Sequence, residues 1–238
     1  METASTLITN AVHPERRGAP WWYTVLILLP LAIGSAVSAY QHTLEHVNLP
    51  GLSPRLSGYL TVLVEEWLAV FLVALQSRCG GPSISELVSG GWPKATAFLR
   101  DAGLAIGFLV VGVPLLALIG RLLGDSGDPV NFLPRTRMEA AVWVLLAATA
   151  GFAEELIFRG FLRWQFKAWT NSTALAIVMQ GVLFGLAHGY YSRAMIAVAV
   201  YGCLLGLLAW WRKSLRPGML AHTVQDEVLG LLAFAVAK

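Results

Sequence analysis

Charge is what this chain lacks most. Only 13% of its 238 residues are Asp, Glu, Lys or Arg, where a soluble domain carries about a quarter. The deficit is not local: 56% of the residues are hydrophobic, the mean hydropathy is +0.63, and apolar stretches recur from end to end. An ordinary water-soluble globule is thereby excluded. The net charge is only +3 and the basic residues lie between apolar stretches, so they report membrane topology rather than a nucleic-acid partner. Cysteine is scarce as well. Cys79 and Cys203 are the only two and cannot build a disulfide framework; Cys203 falls mid-span and reads as a small packing residue. Plentiful instead are glycine, with 23 residues, and tryptophan, with 9, which suit close helix packing and interfacial aromatic belts. The fold expected is all-α, a polytopic membrane helix bundle of about seven to eight spans in a single domain over residues 1–238.

The first twenty residues are polar, with His13, Arg16 and Arg17 ahead of an apolar run that begins at Trp21. That run is about 20 residues long and no small-residue cleavage site follows it, so it reads as a retained first span rather than a signal peptide. Further spans are expected at Tyr59–Gln76, Asp101–Gly120, Glu139–Phe161, Ser172–His188, Ala194–Trp211 and Met219–Val236, after a first at Trp21–Tyr40. Breaks fall at Pro50-Gly51 with Pro54, at Gly80-Gly81-Pro82, across 124–134 and at Arg216-Pro217-Gly218. The mixed stretch Ser83–Leu99 fits an interfacial helix or an eighth, weakly apolar element. Ten Lys/Arg, from Arg16 to Arg216, gather on the side of the N-terminus against six on the other, which favours a cytoplasmic N-terminus. The pairs Gly103/Gly107, Gly181/Gly185 and Gly202/Gly206 have the spacing of close helix crossings.

Within this apolar background, Glu154-Glu155-Leu156-Ile157-Phe158-Arg159 places three ionisable groups inside one span. Each costs about 2.5–3.5 kcal/mol at the bilayer centre on insertion scales, so partners or an aqueous cavity must stabilise them. Glu155 and Arg159 are four apart and share a helix face. Glu154 is rotated about 100° from Glu155 and is left to accept a proton, as a general base does. Two more polar islands follow: Phe184…His188 and His222…Asp226, the latter again four apart, with Asp226 able to orient the imidazole or join it on a metal. If the chain reverses near Thr170, Glu154 lies about 24 Å and His188 about 27 Å from the turn, at similar depth. His222 starts only a few residues into its span, so a tilted helix or a re-entrant 211–218 connection is expected to carry it inward.

These residues, in this order, resemble the CPBP family of intramembrane proteases, the CAAX prenyl-endopeptidase and bacteriocin-processing group also called the abortive-infection family. Its motifs Glu-Glu-x-x-x-Arg, Phe-x-x-x-His and His-x-x-x-Asn or a related residue match Glu154-Glu155…Arg159, Phe184…His188 and His222…Asp226. The resemblance covers residues 139–238, the motif-bearing core; the first 120 match only as generic spans. It implies peptide hydrolysis in the membrane, with Glu154 activating water, His188 assisting, and His222 with the residue at position 226 stabilising the oxyanion. Glu155 and Arg159 support them. Asp226 departs from the commoner Asn, since an ionised Asp cannot donate a hydrogen bond.

Glu154, His188 and His222 also compose the two-His-one-carboxylate set of a catalytic zinc site. Against zinc, the helices lack a close-spaced pair such as His-Glu-x-x-His, and Arg159 adds positive charge nearby, so no cofactor is expected. His42-Thr43-Leu44-Glu45-His46 spells an inverted zincin motif but sits at a span end with no apolar core around it, and reads as a polar loop. Glu65-Glu66 in the second span is either a solvated helix end or part of the substrate path. Two other classes compete with a protease. A transporter would use the same groups as a proton relay, but no repeat of the span pattern is evident; an immunity or scaffold protein would bind a peptide without cutting it. The expected partners are membrane lipids and a peptide or protein substrate, with no nucleic acid. The expected location is a bacterial inner membrane.

Overall fold

In the computed structural model, residues 18–43, 51–124, 132–188 and 193–236 are described, side chains of 37–43 excepted. Among them every regular element is helical. The helices are α1 Trp21–Thr43, α2 Pro54–Gln76, α3 Ile84–Val88, α4 Ala95–Leu122, α5 Arg137–Glu154, α6 Arg163–Thr170, α7 Thr173–Ala187, α8 Ala194–Arg212 and α9 Arg216–Val236. A π-helical segment, Glu155–Leu162, joins α5 to α6, so that Arg137–Thr170 runs as one 34-residue span. Five helices are long and apolar enough to cross a membrane, and Trp21–Ala36 and Thr173–Ala187 are shorter apolar ones. The stretch Ser83–Leu99 is not one interfacial helix. Ser83 and Glu86 form a capping box on the five-residue α3, and the chain then breaks at Gly90, with φ of 69°, before α4 begins.

Local chemistry sets the helix ends. Ser53 caps α2, whose first residue is Pro54, and Thr136 caps α5 in a capping box with Glu139. The buried Glu139 also accepts from Ser53 Oγ at 2.8 Å, which ties the starts of α2 and α5 together. Asn171, in a left-handed conformation with φ of 52°, ends α6, and Ser172 caps α7, so the chain does reverse just after Thr170.

The core lies between α1, α2, the π-helical segment, α7 and α8, around Ile27, Val73, Leu156, Phe158, Phe161 and Phe184. The outside is apolar too: Ile106, Val110, Val111 and Leu118 of α4 are exposed, the inverse of a soluble protein and what a lipid environment requires. Of the small-residue pairs, Gly181/Gly185 and Gly202/Gly206 lie where α7 crosses α8. A Cβ on Gly181, Gly185 or Gly206 would collide with the facing helix and one on Gly202 would crowd it, and Gln180 donates across the crossing to Gly202 O at 2.9 Å. Gly103 and Gly107 differ from expectation: a Cβ there meets nothing within 4 Å, so this pair makes no crossing.

The depth of His222 is resolved by the connection between α8 and α9, which is sunk into the protein. Ser214, Leu215 and Arg216 are only 4%, 1% and 9% exposed. Ser214 Oγ donates to Val88 O at 3.2 Å, and Leu215 packs onto Gly160. Helix α9 therefore begins inside, and at Arg216 rather than Met219.

Candidate active site

Glu154 ends α5 and Glu155 opens the π-helical segment, all eight residues of which are buried. Hydrogen bonding of the π type widens the turn, and such segments are frequent at functional sites. Glu155 and Arg159 are both fully buried, with Nη1 3.3 Å from Oε1. The guanidinium also lies 3.9 Å from the centroid of Phe184, a cation–π contact in a dry setting. Arg159 is thus held by a carboxylate on one side and by the motif aromatic on the other.

His188 caps the C-terminus of α7. Its Nδ1 donates to Phe184 O at 2.8 Å; a carbonyl only accepts, so the proton is assigned to Nδ1. Nε2 then lies 4.0 Å from Glu154 Oε1. His222, from α9, puts Nε2 3.6 Å from the other Glu154 oxygen, Oε2, and 3.5 Å from Asp226 Oδ2. Its Nδ1 faces Glu155 Oε1 at 3.2 Å. Glu155 therefore links Arg159 to His222, a connection the spacing of the sequence did not indicate. The contact needs close approach of α9: a Cβ on Gly218 would come within 2.8 Å of Glu155 Oε2. Asp226 is fixed through its backbone, whose carbonyl accepts from Trp143 Nε1 at 2.8 Å.

Glu154, His188, His222 and Asp226 line one cavity of about 280 Å³, together with Phe184, Glu66, Tyr201 and Gln225. The two glutamates of α2 part company. Glu66 is 2% exposed and faces Glu154 and Asp226. Glu65 points the other way, toward α1, where the absence of a side chain on Gly34 leaves room for its carboxylate. The side chain of His42, with Glu45 and His46, lies outside the described residues.

Asp101 was missed in the sequence beyond its place at a span start. It is fully buried and receives Arg212 Nη2 at 2.9 Å, Arg216 Nε at 3.2 Å and Trp92 Nε1 at 3.0 Å. The two arginines flank the sunken α8–α9 connection, so Asp101 neutralises the cations that would otherwise resist its burial. The available signal was a lone acid in one span facing a pair of arginines between two others.

A zinc ion needs its ligands at about 2.0–2.2 Å. Among the described residues no three His, Cys, Asp or Glu side chains are grouped closely enough to be picked out as a metal site; Glu154 stands 4.0 and 3.6 Å from the imidazoles of His188 and His222. The arrangement instead offers a carboxylate with one imidazole on each oxygen. Both separations exceed a direct hydrogen bond.

Residues 136–228 match the family model described as type II CAAX prenyl endopeptidase Rce1-like. The match covers all three motifs and agrees with the resemblance they carry. At the family level it supports a CAAX-type protease of the membrane. No curated protein and no solved structure is detectably similar to the chain.

Proposed function

We propose, with the Rce1-like match over 136–228 as premise, that this chain hydrolyses a peptide bond in a membrane-associated or lipidated peptide, using water activated by Glu154. One observation carries the reading: the two oxygens of Glu154 face His188 and His222 at 4.0 and 3.6 Å on the wall of a shared cavity. Glu154 takes a proton from water held between it and His188, and the hydroxide oxygen adds to the scissile carbonyl carbon. The carbonyl electrons move to oxygen. When the tetrahedral intermediate collapses, the C–N bond breaks and the amine leaves with the proton that Glu154 had taken. His222 is oriented by Glu155 at its Nδ1, and with Asp226 it lines the opposite wall. No metal takes part.

The chain works as one membrane domain. The Lys/Arg asymmetry supports a cytoplasmic N-terminus, in a bacterial inner membrane. Its partners are lipids and a peptide that reaches the cavity from the bilayer or its surface. The test uses the full chain in liposomes with a fluorogenic farnesylated peptide ending in a Cys-aliphatic-aliphatic-X sequence. Glu154→Gln keeps size and polarity but cannot act as a base, so cleavage should fall by about 10²–10⁴-fold with unchanged insertion and yield. Native rates in E154Q would refute the assignment.

A further inference from the structure

The cavity wall is rich in acceptors and poor in donors. Glu66, Glu154 and Asp226 all present carboxyl groups to it, and an ionised carboxylate only accepts. A peptide carbonyl under attack needs the opposite, a donor placed where negative charge develops. Among the described lining residues, side-chain N–H or O–H donors reduce to Trp143, His188, Tyr201, His222 and Gln225. Trp143 Nε1 is engaged by Asp226 O. His188 uses Nδ1 on Phe184 O and turns Nε2 toward Glu154. His222 is surrounded by Glu154, Glu155 and Asp226.

Tyr201 stands apart. It is 3% exposed, yet its hydroxyl has no hydrogen-bond partner among the described residues. Its ring is held in place, with its centroid 5.3 Å from that of Phe108. It also packs onto Gly112 of α4, where a Cβ would lie 3.2 Å from the Tyr201 ring. Buried hydroxyls are nearly always paired. A rigid one without a protein partner, on the wall of a cavity, takes its partner from whatever occupies that cavity. Gln225 is only half-buried and rotates about more bonds, so it is the less defined donor.

We propose that the Tyr201 hydroxyl donates a hydrogen bond to the scissile carbonyl oxygen and holds it as it becomes the oxyanion of the tetrahedral intermediate. The proposal rests on the hydrolytic reading above. Tyr201 keeps its proton throughout; the proton taken from water travels through Glu154, and the electrons on the oxyanion return to re-form the carbonyl as the amine leaves. Tyr201 lies outside the three motifs and supplies a neutral donor on a wall where Asp226 supplies a carboxylate.

Tyr201→Phe preserves the ring and its packing on Phe108 and Gly112, so its melting temperature in detergent should match that of the native protein. Full-length protein in liposomes is assayed with the farnesylated fluorogenic peptide. The expected result is a fall in kcat of about 10²-fold, the scale of one lost oxyanion donor, with KM unchanged. In parallel, binding of a phosphinate analogue of the same peptide, which carries a tetrahedral anionic centre, should weaken by a similar factor. A non-cleavable analogue that keeps the planar carbonyl should bind nearly as before. A kcat within about threefold of native, far short of a lost donor, overturns the proposal. So does a loss confined to KM, or an equal loss in Gln225→Leu with none in Y201F. An inactive E154Q beside a fully active Y201F leaves the hydrolytic reading standing and removes Tyr201 from it. If E154Q is active, the hydrolytic reading fails, and unaltered phosphinate binding by Y201F would remove the donor role as well.

Discussion

Glu155 is the residue on which most of the site's order depends. It is fully buried, and one of its oxygens faces both Arg159 and His222, at 3.3 and 3.2 Å. Removing one member of a buried pair leaves the other charge without compensation, at about 3–5 kcal/mol. Glu155→Gln and Arg159→Met should therefore each lower the melting temperature in detergent and reduce yield, whereas Glu154→Gln should not. Unchanged thermal stability in both would mean that the pair does not hold the π-helical segment. At this scale the sequence was informative. Ionisable residues in apolar runs are conspicuous because they are costly there, so Glu154, Glu155, Arg159, His188, His222 and Asp226 all stood out. It could not show that Glu155 rather than Asp226 would sit at Nδ1 of His222, because that contact joins two helices 67 positions apart. Tyr201 was silent for a different reason, since an aromatic residue in a span has many bland explanations.

Among the helices, α5 and α9 bring Glu154 and His222 together, and the approach depends on Gly151. A Cβ there would collide with the Thr223 side chain and come within 2.7 Å of the Thr223 backbone nitrogen. Backbone atoms cannot swing aside as a flexible side chain does. Gly151→Val should force α9 outward and lengthen the 3.6 Å approach of His222 to Glu154. Activity should then drop by about 10²-fold, as misplacement of an ångström does, with Glu154 and His222 themselves intact. A Gly151→Val protein with native kcat/KM would show that the crossing tolerates slack. Span positions were read well from hydropathy, because length and apolarity are properties of one segment. The π-helical segment and the buried start of α9 were not, since both are set by what packs against them. The Gly103/Gly107 spacing misled for the same reason: it permits a crossing but does not supply a partner.

For the molecule as a whole, the side chains around Glu154 act, on the proposed mechanism, as a proton-transfer site rather than a metal cage. Protein purified in detergent should contain less than one zinc per chain and keep its activity through exhaustive dialysis against a chelator. A stoichiometric ion, lost with activity and restored with it, would require the ligands to rearrange from their present positions. The same architecture carries a consequence in time. The Arg216 end of α9 is buried against Asp101 of α4, and Gly218 abuts Glu155, so α9 docks into a cleft whose other walls come earlier in the chain. Translation delivers Glu154 and His188 before His222, and a domain folds as a unit once its parts are present. A ribosome-bound precursor thus presents an unfinished wall to the bilayer, and on the proposed mechanism the capacity to cut neighbouring polypeptides arises only when the last helix has threaded into its slot.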